Sequence, residues 1–295
     1  MFYECSLPEK KGKQVSVLVS LMSAESKRLI AKAVAALPEV KKALEKGIVI
    51  IARGTTDAFV AEEIIGRPLD FPRCDYTRGC IVDGELRVNL RRGLGNDFVL
   101  RQGKVQDLRE VRPQDVVKEF GADDVFIKGA SAVDPSGQAG VLVAGAESGT
   151  VGYALPSLMG RGAHLIVPVG LEKLIPSVDQ ASQKCGVFRF KYSTGLPCGL
   201  IPTVNGKVVT EVQALAVLAG VSATHVASGG IGGSEGTVVL VAEGNEENVE
   251  KAFRLVASIK GEPPVSRPET TTPPAASMKY DADAQWKHHQ AVSRR

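Results

Sequence analysis

Four short runs, "DVFIKG", "AGVLVAG", "AHLIVPVG" and "GTVVLVAEG", are apolar at consecutive positions, and each ends at a glycine. A strand without polar alternation has no face to offer water, so it must be covered on both sides. Helical patterns fill the gaps between them. "SAESKRLIAKAVAALPEVKKALEKG" begins at Ser23 and is interrupted near Pro38, "VRPQDVVKEFG" precedes the first run, and "ESGTVGYALPSLMGRG" separates the second from the third. Strands alternating with helices predict an α/β fold: three layers, with a mostly parallel sheet in the middle.

Residues 14–200 are expected to form this α/β domain, opened by the strand "QVSVLVSL". Alternating segments with glycine turns over about 75–111 read as an inserted pair of β-hairpins. Residues 201–261 change to helix, strand, strand, helix, a small C-terminal α+β unit. From Glu262 to Arg295 the chain is rich in Pro, Thr and charge, and is expected to be a disordered tail.

Charge narrows the range of partners. The 36 basic and 33 acidic residues leave a net +3, and no block of Lys and Arg forms a nucleic-acid footprint. No apolar run reaches the roughly 18–20 residues of a membrane span, and "MFYECSLPEKKGKQ" carries no secretory pattern. Five cysteines without CxxC spacing suit free thiols in a reducing compartment. These features predict a cytoplasmic protein with no nucleic-acid, membrane or metal partner.

Candidate site residues gather at four turns. In "ARGTTDAF", a strand runs into Arg53, Gly54, Thr55 and Thr56 at a helix entry, where free N–H groups and the helix dipole favour an anion. In "VFIKGASAVDP", Lys128 ends a strand, followed by Gly129, Ser131 and Asp134. At the carboxyl end of a parallel strand an ammonium faces the ligand crevice, so Lys128 is an anion ligand, a catalytic amine or a solvated strand-end charge. In "AESGTVGY", Glu147 precedes Ser148, Gly149 and Thr150, a second anion-ready nest beside a carboxylate nucleophile or base. In "VPVGLEKLIPSVDQ", Gly170 ends a strand, and Glu172 and Lys173 sit in the turn, either closing the crevice or serving as structural ion-pair partners. "GGIGGSEG" is rich in glycine but precedes a strand, so it reads as a hairpin turn and gives no support for dinucleotide binding.

The stretch from Phe126 to Val178, with its "KGA" turn, "AES" loop, "LP" helix and "GLEKLIP", resembles the lactate-utilisation (LUD) proteins. "VIIARGTTDAFVAEEI" resembles the phosphate-binding entry of ribose-5-phosphate isomerases. Together these imply the NagB/RpiA/CoA-transferase-like fold group over about residues 14–178. The isomerases carry aspartates where this chain has Lys128 and Ser131, which argues against sugar isomerisation. The resemblance implies the fold and no particular reaction; the four turns point to a crevice that binds a small carboxylate- or phosphate-bearing metabolite, in an LUD-like role in organic-acid metabolism, with its transformation left open. A transferase reading would instead use Glu147 for acyl transfer, with coenzyme A as the only cofactor implied. A metabolite sensor or structural subunit is the non-catalytic alternative, and a homo-oligomer is expected.

Overall fold

The computed structural model describes residues 13–90, 97–107, 111–145 and 148–270. The chain opens with β1 (Gln14–Leu21), α1 (Ser23–Ala36), α2 (Pro38–Lys46), β2 (Ile48–Ile51) and α3 (Thr55–Ile65). Two hairpins follow, β3 (Gly79–Val82) with β4 (Glu85–Val88) and β5 (Phe98–Arg101) with β6 (Lys104–Val105), then the short α4 (Pro113–Val116). The middle of the chain holds β7 (Val125–Ile127), β8 (Ala132–Val133), β9 (Ala139–Val143), α5 (Gly149–Arg161), β10 (His164–Pro168) and α6 (Val178–Lys184). Last come β11 (Gly199–Pro202), β12 (Lys207–Val209), α7 (Glu211–Ala219), β13 (Ser222–Ser228), β14 (Val238–Asn245) and α8 (Glu246–Ile259).

Strand alternation builds the central layer. The six-stranded sheet runs β12-β10-β7-β2-β5-β6; its first four strands are parallel, while β5 and β6 are antiparallel. Val49 and Ile51 of β2, Val125 and Ile127 of β7, Ile166 of β10 and Val209 of β12 point into one core with α1, α3 and α7. Their neighbours Ile50, Phe126, Leu165, Val167 and Val208 point the other way, into a second core with α5. Each side chain buried this way stabilises the fold by about 1.5–3 kcal/mol. The mixed α/β class and the mostly parallel sheet expected from the apolar runs are present.

The allotment of strands differs from the expectation. "AGVLVAG" does not join the parallel sheet: β9 pairs antiparallel with β8 and β11 in a separate three-stranded sheet. β1 also leaves the central layer, pairing along its whole length with β14, which also pairs with β13. Residue 200 therefore does not divide the sheets, because β12 completes the central one and β1 completes the C-terminal one. Local apolarity reports burial on two faces without naming the partner strand, which is why the runs looked alike. Of the tail expected from Glu262 to Arg295, residues 271–295 lie outside the described residues, and residues 262–270 pack against the rest of the chain. Glu262 pairs with Arg28 at 3.0 Å and Arg73 at 2.8 Å, and Arg267 pairs with Asp83 at 2.6 Å, so residues 262–270 lie as an extended strap across the first hairpin.

Candidate functional site

The four parallel strands all deliver their carboxyl ends to one rim, where β2 leads into Arg53, β7 into Lys128, β10 into Gly170 and β12 into Glu211. Lys128 ends the middle strand, with 15% of its side chain exposed. Its Nζ donates to the carbonyl oxygens of Arg53 and Gly129, both at 3.2 Å. Beneath it lies a residue that the turn motifs did not single out, Asp57 in the first turn of α3. Its Oδ2 accepts the Gly129 N–H at 2.9 Å and stands 4.0 Å from Lys128 Nζ, while its Oδ1 is buried without a hydrogen-bond partner.

Two glycines make this approach feasible. A Cβ on Gly54 would stand 2.3 Å from Asp57 Oδ2, and one on Gly129 would stand 3.1 Å from it. Gly54 has extended backbone that any residue could adopt, so its requirement is steric and not conformational. The side chain of Asp57 is 0% exposed. Burial raises its carboxyl to about 6, against the opposing pull of Lys128 and the Gly129 N–H. Asp97, at the start of β5, is a second buried acid on this rim. It accepts the Arg53 N–H at 3.0 Å and the Tyr153 hydroxyl at 3.2 Å, and burial again raises it.

Beyond Gly129 the polar cluster continues. Lys173 Nζ donates to the Ala130 carbonyl at 3.0 Å. Burial and then the nearby Lys27 ammonium lower Lys173 to about 8. Lys27, in the second turn of α1, pairs with Glu172 at 2.7 Å and also bonds Ser23 Oγ. Burial alone would raise Glu172, but Lys27 and Lys173 together hold it below the usual range. Glu211 accepts the Leu171 N–H at 2.9 Å, and its burial raises it. A Cβ on Gly170 would lie 3.3 Å from Glu211 Oε1, so this strand-end glycine also makes room for an acid.

The turn residues meet the expectation unevenly. Lys128, Gly129, Gly54, Glu172 and Lys173 share the rim, and Gly170 adjoins it. Arg53 contributes mainly through its backbone, because its guanidinium leans away to donate to the Asp75 carbonyl at 3.3 Å. Thr55 and Thr56 form the first turn of α3 behind Gly54, with Thr56 buried. Ser148, Gly149 and Thr150 open α5, with Ser148 and Gly149 both in the left-handed region. Val151, one residue further, lines a small, mostly apolar cavity beneath α5 with Lys128, Phe126 and Thr203. Glu147 lies outside the described residues.

Two residues belong elsewhere. Ser131 is exposed, and its Oγ accepts the Leu142 N–H at 3.1 Å on the outside of the β8–β9 turn. Asp134 is fully engaged: its carboxylate accepts the Ser136 N–H at 3.0 Å, the Ser136 hydroxyl at 2.6 Å, the Gln138 N–H at 3.1 Å and the Val178 N–H at 2.9 Å. Burial opposes ionisation there, but these donors hold it below the ordinary range. Asp134 is thus a fastening for the turn and for the start of α6.

Asp57 had a local signal that was not used: an acid three positions after the glycine that opens α3, where the helix dipole favours it. Asp97, Lys27, Tyr153 and Glu211 had none, since only the sheet order brings them to the rim. Among the described residues no three His, Cys, Asp or Glu side chains converge to hold a metal ion, and no helix is long and apolar enough to cross a membrane. No protein-family model, curated protein or solved structure matches the chain.

Proposed function

We propose that the protein binds a small carboxylate- or phosphate-bearing metabolite at the carboxyl ends of β2, β7 and β10, with Lys128 as the counter-charge and Asp57 as the group that moves a proton. One observation carries this reading: the ammonium of Lys128, whose side chain is 15% exposed, stands 4.0 Å from a fully buried carboxyl that has one oxygen unpartnered. The ammonium attracts the anion, and a carboxyl near 6 exchanges its proton close to neutrality. The absence of carboxylates at positions 128 and 131 argued against sugar isomerisation. Asp57 restores a carboxyl from the neighbouring helix, which favours an enzyme over a sensor. The resemblance to lactate-utilisation proteins supports an organic acid as the ligand. Membership of the NagB/RpiA/CoA-transferase-like fold group is part of the same proposal.

Thermal shift and calorimetry against organic acids, sugar phosphates, acyl-coenzyme A esters and folates test it. Lys128→Ala should weaken the best ligand by about 10- to 100-fold, the value of a charge-assisted hydrogen bond. Asp57→Asn should retain binding and lose turnover. If Lys128→Ala binds like the parent while Arg53→Ala does not bind, the assignment of Lys128 fails. A covalent acyl intermediate lost in Glu147→Gln would move the chemistry to the transferase reading.

A further inference from the structure

Lys128 and Lys173 hold the carbonyl oxygens of consecutive residues, Gly129 at 3.2 Å and Ala130 at 3.0 Å. The two ammonium groups thus flank a single peptide of the β7 turn, with Asp57 beneath it on the Gly129 N–H. Lys27 and Glu172 complete the surroundings of Lys173 from α1 and from its own turn. Lys173 is half-buried. One cation suffices to neutralise a single small anion, so the second, held a residue away, calls for a separate role.

We infer that Lys173 is an amine nucleophile, which takes anionic ligands bearing an aldehyde or ketone by forming an imine with the carbonyl carbon while Lys128 holds the anionic group. This rests on the anion site proposed above and narrows its ligands to carbonyl compounds. Burial first, then the like charges of Lys27 and Lys128, favour the neutral amine against the pull of Glu172 and Asp57, a recognised way to activate a lysine. The fall of Lys173 to about 8 agrees with that arrangement.

The step balances without an oxidant or reductant. The neutral amine adds to the carbonyl carbon as the C=O π bond opens, and the oxygen takes the Asp57 proton. The nitrogen then returns a proton to Asp57, which passes it to the new hydroxyl. Water leaves as the C=N bond forms, and the resulting iminium returns its N–H proton to Asp57, so amine and carbonyl give imine and water.

Reductive trapping tests the inference on the full chain. The protein is mixed with glyoxylate and sodium cyanoborohydride near pH 7.5, and labelled lysines are located by peptide mass spectrometry. Lys173 should label at least about tenfold faster than the exposed Lys184 and Lys251, since far more of it is unprotonated at that pH. Lys173→Arg, with unchanged melting, should remove the rapid label. Labelling spread evenly over surface lysines, or concentrated on Lys128, overturns the assignment. Inorganic phosphate should compete, and Lys128→Ala should slow the label. If neither affects rapid labelling of Lys173, the anion site fails and the amine assignment stands.

Discussion

At the scale of single residues, Asp57 gives the fold a pH-dependent stability. Its carboxyl rises from the ordinary 3.8 to about 6, so the folded state holds this proton more tightly than the unfolded chain. That contribution is complete below 3.8 and is lost as pH rises through 6. Its size is at most about 3 kcal/mol, from the 1.36 kcal/mol that accompany each unit. Asp57→Asn keeps an acceptor for the Gly129 N–H and cannot ionise, so the variant should gain on the parent in melting temperature between pH 4.5 and 7. Parallel pH profiles for the two proteins would show that the carboxyl is not desolvated as described. Lys173 titrates in a different window. Its folded value near 8 lies below the ordinary 10.5, so its contribution is present above 10.5 and lost as pH falls through 8. The comparison below pH 7 therefore isolates the aspartate.

Among the elements, the turn from β8 to β9 shows how a site-like motif can serve the fold. Asp134 accepts four hydrogen bonds, two from within its own turn's Ser136, one from Gln138 and one from the first residue of α6. Asp134→Ala would strand the Gln138 and Val178 amides, and should cost about 2–4 kcal/mol in denaturant unfolding. Asp134→Asn should recover part of that, and the folded variants should bind the anion as the parent does. Normal stability with lost binding would instead make Asp134 a ligand. Sequence spacing placed Asp134 six positions after Lys128 but could not say that the chain turns back between them. Ser131 was misplaced for the same reason. Lys128 was placed correctly because a strand end is itself a local feature.

For the whole molecule, the strap beyond α8 ties the C-terminal unit to the first hairpin. Arg28 and Arg73 lie on the Phe59 ring, at 4.9 and 4.2 Å from its centroid, and both pair with Glu62 and Glu262. These pairs are largely shielded from water, so removing one partner costs more than at an open surface. A chain ending at Gly261 should melt several degrees lower, and the amide of Leu90, which donates to the Glu269 carbonyl, should exchange faster. Glu262→Ala should reproduce part of the loss. Unchanged melting and exchange in the truncated chain would mean that the strap adds nothing to stability.

The amino-acid sequence by itself determined the α/β class, the succession of helices and strands, and the residues that end the parallel strands, because each follows from patterns within about ten residues. It also placed Lys128, Glu172 and Lys173 at those ends. Only the tertiary structure decided that β9 and β1 leave the central sheet, that Asp134 is a fastening, and that Lys27 meets Glu172 across the fold. Strand order brings Asp97 to Arg53, and a glycine without a side chain lets Asp57 lie under Lys128. Such juxtapositions join residues tens to more than a hundred positions apart, and depend on which strands neighbour one another, which local apolarity and turn chemistry leave open.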